Sequence, residues 1–318
     1  MKKNMLAFSL MLCLLMMGSF NMRQKNMTAK LVLDAKARLG EGAIWHPTEN
    51  KFYWLDIEAA ELHIYDPATK KDIHFPTGEK AGTIVPIQGG GVLLAMQNSI
   101  RRMDTKTGEL TLVTKPLNDS LVRFNDGKAD PAGRFWVGTM AHDLKEGAAA
   151  LYRMDKDKSF HRVVDNVTVS NGLVWSADKK TMYYVDSPTY TVQAFDYDDQ
   201  TGEITNGRVV IRIPAAVGGT PDGMAIDAEG KLWIAIWGGA AVVRCDPATG
   251  AVLQRVEVPA LNVTSVAFGG KNLETLYITT VREWQTPEQL GKYPLSGGIF
   301  SVQPGVRGVP AEFYRGEL

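Results

Sequence analysis

Residues 123–140 read Arg-Phe-Asn-Asp-Gly-Lys-Ala-Asp-Pro-Ala-Gly-Arg-Phe-Trp-Val-Gly-Thr-Met. A polar residue stands before a glycine, a short mixed segment follows, Asp130-Pro-Ala-Gly supplies a turn, and an aromatic-rich run ends the stretch. Asp, Pro and Gly each favour turn conformations, for different backbone reasons. The run 135–140 carries the aromatic and β-branched residues that suit a pleated, buried strand. Taken alone, this is one hairpin.

Working outward, the same pattern recurs. Glu41-Gly-Ala-Ile-Trp, Ala81-Gly-Thr-Ile-Val, Asp126-Gly-Lys-Ala-Asp, Asn171-Gly-Leu-Val-Trp, Asp222-Gly-Met-Ala-Ile and Thr264-Ser-Val-Ala-Phe align, with intervals of 40, 45, 45, 51 and 42 residues. A fixed period in this range marks a repeat architecture. Each copy continues through a turn into a second strand: 52–57, 92–97, 135–140, 181–187, 232–237 and 275–280. A third strand ends near an acidic turn, as in Ile64-Tyr-Asp-Pro and Val243-Arg-Cys-Asp, and Phe300-Ser-Val-Gln is the divergent sixth copy. A fourth strand, such as 109–114 or 252–258, completes the unit. Four antiparallel strands repeated radially make a β-propeller, which leaves only short, protected sheet edges. The expected fold is therefore all-β, a single six-bladed propeller over residues 31–318. Residues 31–38 form an extra strand that should pair with the last unit and close the ring.

Composition agrees with this reading. Of 318 residues 45% are hydrophobic and 22% charged, as in a globular domain. Thirty-five acidic residues balance 35 basic ones, which argues against a nucleic-acid partner. The 31 glycines and 15 prolines are scattered as turn punctuation, with no linker-like cluster. Residues 1–22 differ in kind: Lys2 and Lys3 precede an apolar run, 5–17, followed by Gly18 and Ser19. That is the layout of a secretory signal peptide, and the run is too short to span a bilayer comfortably. The expectation is a secreted or periplasmic protein with no membrane attachment in its mature form. Leu10-Met11-Leu12 lacks the small residue that should precede a lipidated Cys13, which disfavours a lipoprotein. The mature chain would keep only Cys245 and form no internal disulfide. Oligomeric state is not encoded in any of these features.

In a propeller the first strand of each blade lines the central channel, so one repeat position forms a ring. The residues ahead of each glycine, or of Ser265 in the sixth copy, are Glu41, Ala81, Asp126, Asn171, Asp222 and Thr264. Four carry a carboxylate or an amide, more than packing needs. Buried together, such groups require a cation or a dense hydrogen-bond network. Oxygen donors from Glu41, Asn171 and Asp222, completed by water, suit a hard divalent cation: calcium first, with magnesium, manganese or zinc as alternatives. Asp-Gly and Asn-Gly are also ordinary turn dipeptides, so each copy is weak evidence by itself.

Leu39-Gly-Glu-Gly, 123–134, Gly138-Thr-Met, Ser170-Asn-Gly-Leu, Tyr183-Tyr-Val-Asp-Ser, Ala194-Phe-Asp-Tyr-Asp and Pro221-Asp-Gly-Met-Ala-Ile-Asp together resemble the regucalcin, gluconolactonase and senescence-marker-protein family over residues 31–309. The resemblance implies a six-bladed propeller with one divalent cation that hydrolyses a sugar lactone. It further implies Glu41, Asn171 and Asp222 as metal ligands and Arg123 and Asn125 as substrate contacts. Asp143 falls where the animal branch of the family has a substrate-contacting Glu. Asp222 is the candidate catalytic base that takes a proton from the attacking water, and Asp126 would orient the ligands around it. No Gly-x-Ser-x-Gly and no metal-spaced histidines are present, which removes serine-hydrolase and zincin chemistry. Trp45, Trp136, Trp175, Trp233 and Trp237 are expected on inner strands as core. The remaining alternatives are an ester or organophosphate hydrolase using the same site, and a non-enzymatic propeller that binds calcium or carbohydrate.

Overall fold

Burial falls from the first strand of each repeat to the fourth, and this gradient sets the architecture. Every residue of Ser170–Trp175 and Asn262–Gly269 is buried, as a continuous apolar run requires. Lys71–Pro76 and Ile204–Arg212 are largely exposed or half-buried. The computed structural model describes residues 27–318, so the expected signal peptide and Cys13 lie outside the described residues.

The strands form six sheets of antiparallel blades, with consecutive strands paired in sequence order in blades 1 to 5. Blade 1 runs Gly40–His46, Lys51–Asp56, Glu61–Asp66 and Lys71–Pro76. Blade 2 is Thr83–Pro86, Val92–Ala95, Ile100–Met103 and Leu110–Thr114, and blade 3 is Val122–Ala129, Phe135–Ala141, Ala149–Met154 and Phe160–Val167. Blade 4 is Ser170–Trp175, Thr181–Asp186, Thr191–Tyr197 and Ile204–Arg212; blade 5 is Thr220–Ile226, Leu232–Trp237, Ala241–Cys245 and Val252–Glu257. Blade 6 takes Asn262–Gly269, Thr275–Val281 and Ile299–Val302 from its own repeat and its fourth strand, Lys30–Leu33, from the start of the chain. The expected ring closure is therefore present. Met27–Thr28 adds a short parallel strand to the edge of blade 5.

The first strands pack neighbour on neighbour from blade 1 through blade 6 and back to blade 1. The core is accordingly divided into six apolar clusters, one at each blade interface. Strand periodicity explains how one blade serves two clusters. On Lys51–Asp56, Phe52 and Trp54 face blade 6 while Tyr53 and Leu55 face blade 2. On Leu232–Trp237, Trp233 and Ala235 face blade 6 while Leu232, Ile234 and Ile236 face blade 4. The only α-helix among the described residues, Pro287–Lys292, lies between the second and third strands of blade 6 and starts with a Thr286–Gln289 capping box.

Trp45 and Trp175 lie on first strands and Trp136, Trp233 and Trp237 on second strands, the inner strands where the repeat puts them. First and second strands are both buried on two faces. Trp136 and Trp233 have a shared role. Each donates its indole proton at 2.9 Å to the aspartate six residues earlier, Asp130 and Asp227. Those aspartates also accept from Arg134 and Arg244. The turn in the opening stretch is thus pinned to its own second strand.

Candidate functional site

Five of the six first strands carry a one-residue bulge at the same place. Pairing with the second strand slips between Glu41 and Ile44, Phe124 and Gly127, Asn171 and Leu173, Pro221 and Met224, and Val263 and Val266. An extra residue bends a strand and re-aims its side chains. Each bulge begins at or includes the ring position: Glu41, Asp126, Asn171, Asp222 and Thr264. Blade 2 has a regular register and only Ala81 at that position. The glycine that follows is needed for close approach. A Cβ on Gly172 would sit 2.7 Å from the Asp222 carbonyl oxygen, and one on Gly223 would sit 2.8 Å from the Thr264 carbonyl oxygen. Neighbouring first strands therefore meet backbone to backbone beside the ring. At the blade 6 to blade 1 seam, the Thr264 hydroxyl donates to the Gly40 carbonyl at 2.5 Å.

Carboxylates from three alternate blades interact across this ring. Burial raises the pKa of Glu41 to about 8, and Asp126 adds to the rise; the Gly42 amide and Arg123 oppose it. Asp222 is pushed well above the ordinary carboxylate range by burial first, then by Glu41 and Asp126. Asp126 is raised by burial and opposed chiefly by Lys128. Two oxygens in this group, Asp222 Oδ1 and Asp126 Oδ2, are buried and accept no hydrogen bond. Such orphaned acceptors are costly and call for a proton, water or cation.

The amides nearby are fully engaged. Asn171 Nδ2 donates to Ser187 Oγ at 2.8 Å, and Ser187 Oγ donates to the Pro221 carbonyl at 2.7 Å. Asn125 Nδ2 donates to Asn171 Oδ1 at 3.1 Å and to the Ser170 carbonyl at 2.8 Å. Arg123 Nη1 in turn donates to Asn125 Oδ1 at 3.0 Å and to the Phe124 carbonyl at 2.9 Å. A chain from Arg123 through Asn125 thus fixes the amide of Asn171 with its oxygen presented as acceptor. Ser187 was not singled out from sequence. The sequence reads it as the last residue of the strand 181–187, but it opens a short 3-10 turn, Ser187–Thr189, after that strand ends at Asp186.

Among the described residues no three or more His, Cys, Asp or Glu side chains close into a metal-binding group. The sequence-derived set has two carboxylates and one amide, so it depends on Asn171 and on solvent oxygens to complete a shell. Its donor chemistry and the orphaned Oδ1 of Asp222 fit a hard cation.

Asp143 and His142 are exposed in the turn after Phe135–Ala141, at the end of blade 3 that also carries Arg123, which pairs with Met140. The Asp143 carboxylate accepts from the Lys145 amide at 3.0 Å. Two aromatics sit at this end on the far side of the ring. Trp237 ends the second strand of blade 5, opposite Thr220, and its ring lies 6.4 Å from that of Trp284, which is 62% exposed.

Comparison with known proteins agrees with the fold. Residues 39–282 match the model of the SMP-30/Gluconolactonase/LRE-like region. The chain is 41% identical to regucalcin of Danio rerio over 288 residues, 90% of this chain and 97% of that protein. It is 37% identical over 279 residues to a Bacillus subtilis protein provisionally named sugar lactone lactonase YvrE, covering 87% of this chain and 95% of the other. The solved structure of an Agrobacterium tumefaciens regucalcin, described as a calcium-binding protein, superposes with a TM-score of 0.86 at 29% identity over 91% of this chain and 98% of that one.

Proposed function

Because the chain belongs to the SMP-30/gluconolactonase/LRE-like family, we propose that it hydrolyses a sugar lactone at the Glu41–Asn171–Asp222 ring with the help of a divalent cation. One observation carries the reading: Asp222 Oδ1 and Asp126 Oδ2 are buried without partners in a group of mutually repelling carboxylates. A scaffold gains nothing from that arrangement, whereas a hydrolase needs a base and an electrophile in one place.

Glu41, Asn171 and Asp222 would hold the cation, calcium being the first choice and magnesium, manganese or zinc the alternatives. Once bound, the cation would polarise the lactone carbonyl and offset the charge that grows on its oxygen. Asp222, whose Oδ1 has no hydrogen-bond partner, takes a proton from the attacking water. Arg123 and Asn125 hold the sugar hydroxyls so that attack is aligned, and Asp143 contributes from the adjacent turn. Asp126 orients the group without being a ligand.

The Trp237–Trp284 pair at the same end favours a second reading, in which the substrate carries an apolar part, as in an alkyl or aryl ester. Assaying the chelated enzyme on a panel of aldonolactones and aryl esters, with each cation restored in turn, separates the two. Lactone turnover restored by a divalent cation supports the first reading. Ester turnover alone supports the second, and no turnover of either leaves a binding protein. We also propose that residues 1–22 direct export; mass spectrometry of the exported chain tests this by showing whether that segment has been removed.

A further inference from the structure

Lys128 is a charged residue beside the ring that the proposed reaction leaves unused. It stands two residues beyond Asp126 on the first strand of blade 3. Its amine donates to the carbonyl of Met224, which stands two residues beyond Asp222 on the first strand of blade 5. First strands pack against their immediate neighbours, so a side chain that joins blade 3 to blade 5 passes the first strand of blade 4 and crosses the channel. Lys128 is half-buried and forms part of the wall of a cavity of about 330 Å³. Trp45, Trp175 and Phe268 also line that cavity, whereas Glu41, Asp126, Asn171 and Asp222 do not. Lys128 thus stands at the boundary between the carboxylate ring and the mostly apolar channel beyond it.

The charges at the ring then balance in one way. Ionised Glu41, Asp126 and Asp222 carry three negative charges, of which a divalent cation offsets two and Lys128 the third. The influence of Lys128 falls on Asp126. Burial raises the pKa of Asp126 and Lys128 is the foremost group opposing that rise; burial lowers the pKa of Lys128 and Asp126 opposes it in turn. A surplus charge of either sign is costly in a buried site. A trivalent ion beside Lys128 would leave one.

We infer that Lys128 is the resident positive charge of the ring: it offsets the charge of Asp126 and makes the site select a cation of charge two over one of charge three. The inference rests on the cation reading of the ring, since it specifies which cation that ring accepts. It assigns Lys128 no contact with substrate. Its role is to set the charge that Glu41, Asn171 and Asp222 present to the ion.

Terbium, a trivalent ion close to calcium in size and bound by the same oxygen ligands, tests this. Exchanging calcium for terbium adds one positive charge and leaves the ligands and any displaced protons the same, so the ratio of the two affinities reads local charge. The full chain is loaded with terbium, and calcium is titrated against its tryptophan-sensitised luminescence. Relative to wild type, Lys128→Met should raise the preference for terbium about tenfold, the scale of one unit charge acting in a partly buried site. Asp126→Asn should lower it by about as much. The double variant should return to near the wild-type ratio, which loss of a residue that merely fills space would not bring about. If Lys128→Met alone does not fold, Asp126→Asn set against the double variant makes the same comparison. A ratio unchanged in Lys128→Met, or a double variant that keeps the ratio of Asp126→Asn, would overturn the inference while leaving the cation site in place. A wild type that binds neither ion would overturn the cation reading and this inference with it.

Discussion

Asn125 donates its amide proton to the side-chain oxygen of Asn171 at 3.1 Å, linking blade 3 to blade 4 beside the carboxylate ring. Asn125 is thus both a proposed substrate contact and the residue that fixes Asn171. Asn125→Ala should lower cation affinity by about 10–100-fold, as loss of a residue that orients a metal ligand commonly does. It should lower kcat/KM as well. Cation titration followed by the change in melting temperature checks the first effect; unchanged affinity would reduce Asn125 to a substrate contact.

Arg123 is one step further from Asn171, donating to Asn125 rather than to the ring. Arg123→Ala should raise KM and lower kcat/KM roughly 10–100-fold, the worth of one charged hydrogen bond or more. Cation affinity should stay near wild type. Steady-state kinetics set beside the same titration separate the two variants, and a parallel loss of cation binding would make Arg123 structural.

The raised carboxylates fix the sign of a pH effect. Glu41 in the folded, cation-free protein holds its proton to about pH 8, and Asp222 is also raised, chiefly by burial. In the unfolded chain both titrate near 4. The folded state therefore binds more protons between these values, and stability falls as pH rises through that window. A bound cation displaces the protons and reverses the loss. Calcium should raise the melting temperature more at pH 8.5 than at pH 5.5, and Glu41→Gln should abolish most of that difference. An equal calcium effect at both pH values would contradict the assignment.

Ring closure can be tested by truncation. A chain starting at Asp34 lacks Lys30–Leu33, the fourth strand of blade 6, and leaves Ile299–Val302 as an open edge. Its melting temperature should fall by roughly 10 °C or more, since each lost kcal/mol counts for about 2–4 °C in a domain of this size or somewhat smaller. A chain starting at Met27 should melt as the full-length protein does.

The blades and the ring were legible because turn chemistry and period-two apolar runs repeat six times, and a ring needs an extra strand to close. The bulges were not, because a bulge is a relation between two strands and leaves no mark on one. Their trace was the residue-glycine pair, whose glycine in blades 4 and 5 admits the backbone of the next blade. The role of Ser187 was hidden because the sequence reads it as the end of the strand 181–187, whereas it opens a 3-10 turn from which its hydroxyl joins Asn171 to Pro221. Trp136 and Trp233 were placed on their second strands by the repeat, but their indole bonds to Asp130 and Asp227 appeared only with the fold. Trp284 came into view only when the fold set its ring beside that of Trp237.

The most direct test of the central claim is lactone hydrolysis by chelated protein, with and without restored cation, in wild type and Asp222→Asn. The account predicts turnover that disappears on chelation, returns with calcium or another divalent cation, and falls by at least about 100-fold in the variant, as loss of a general base commonly requires. Full turnover by the chelated wild type, or by Asp222→Asn, would contradict it.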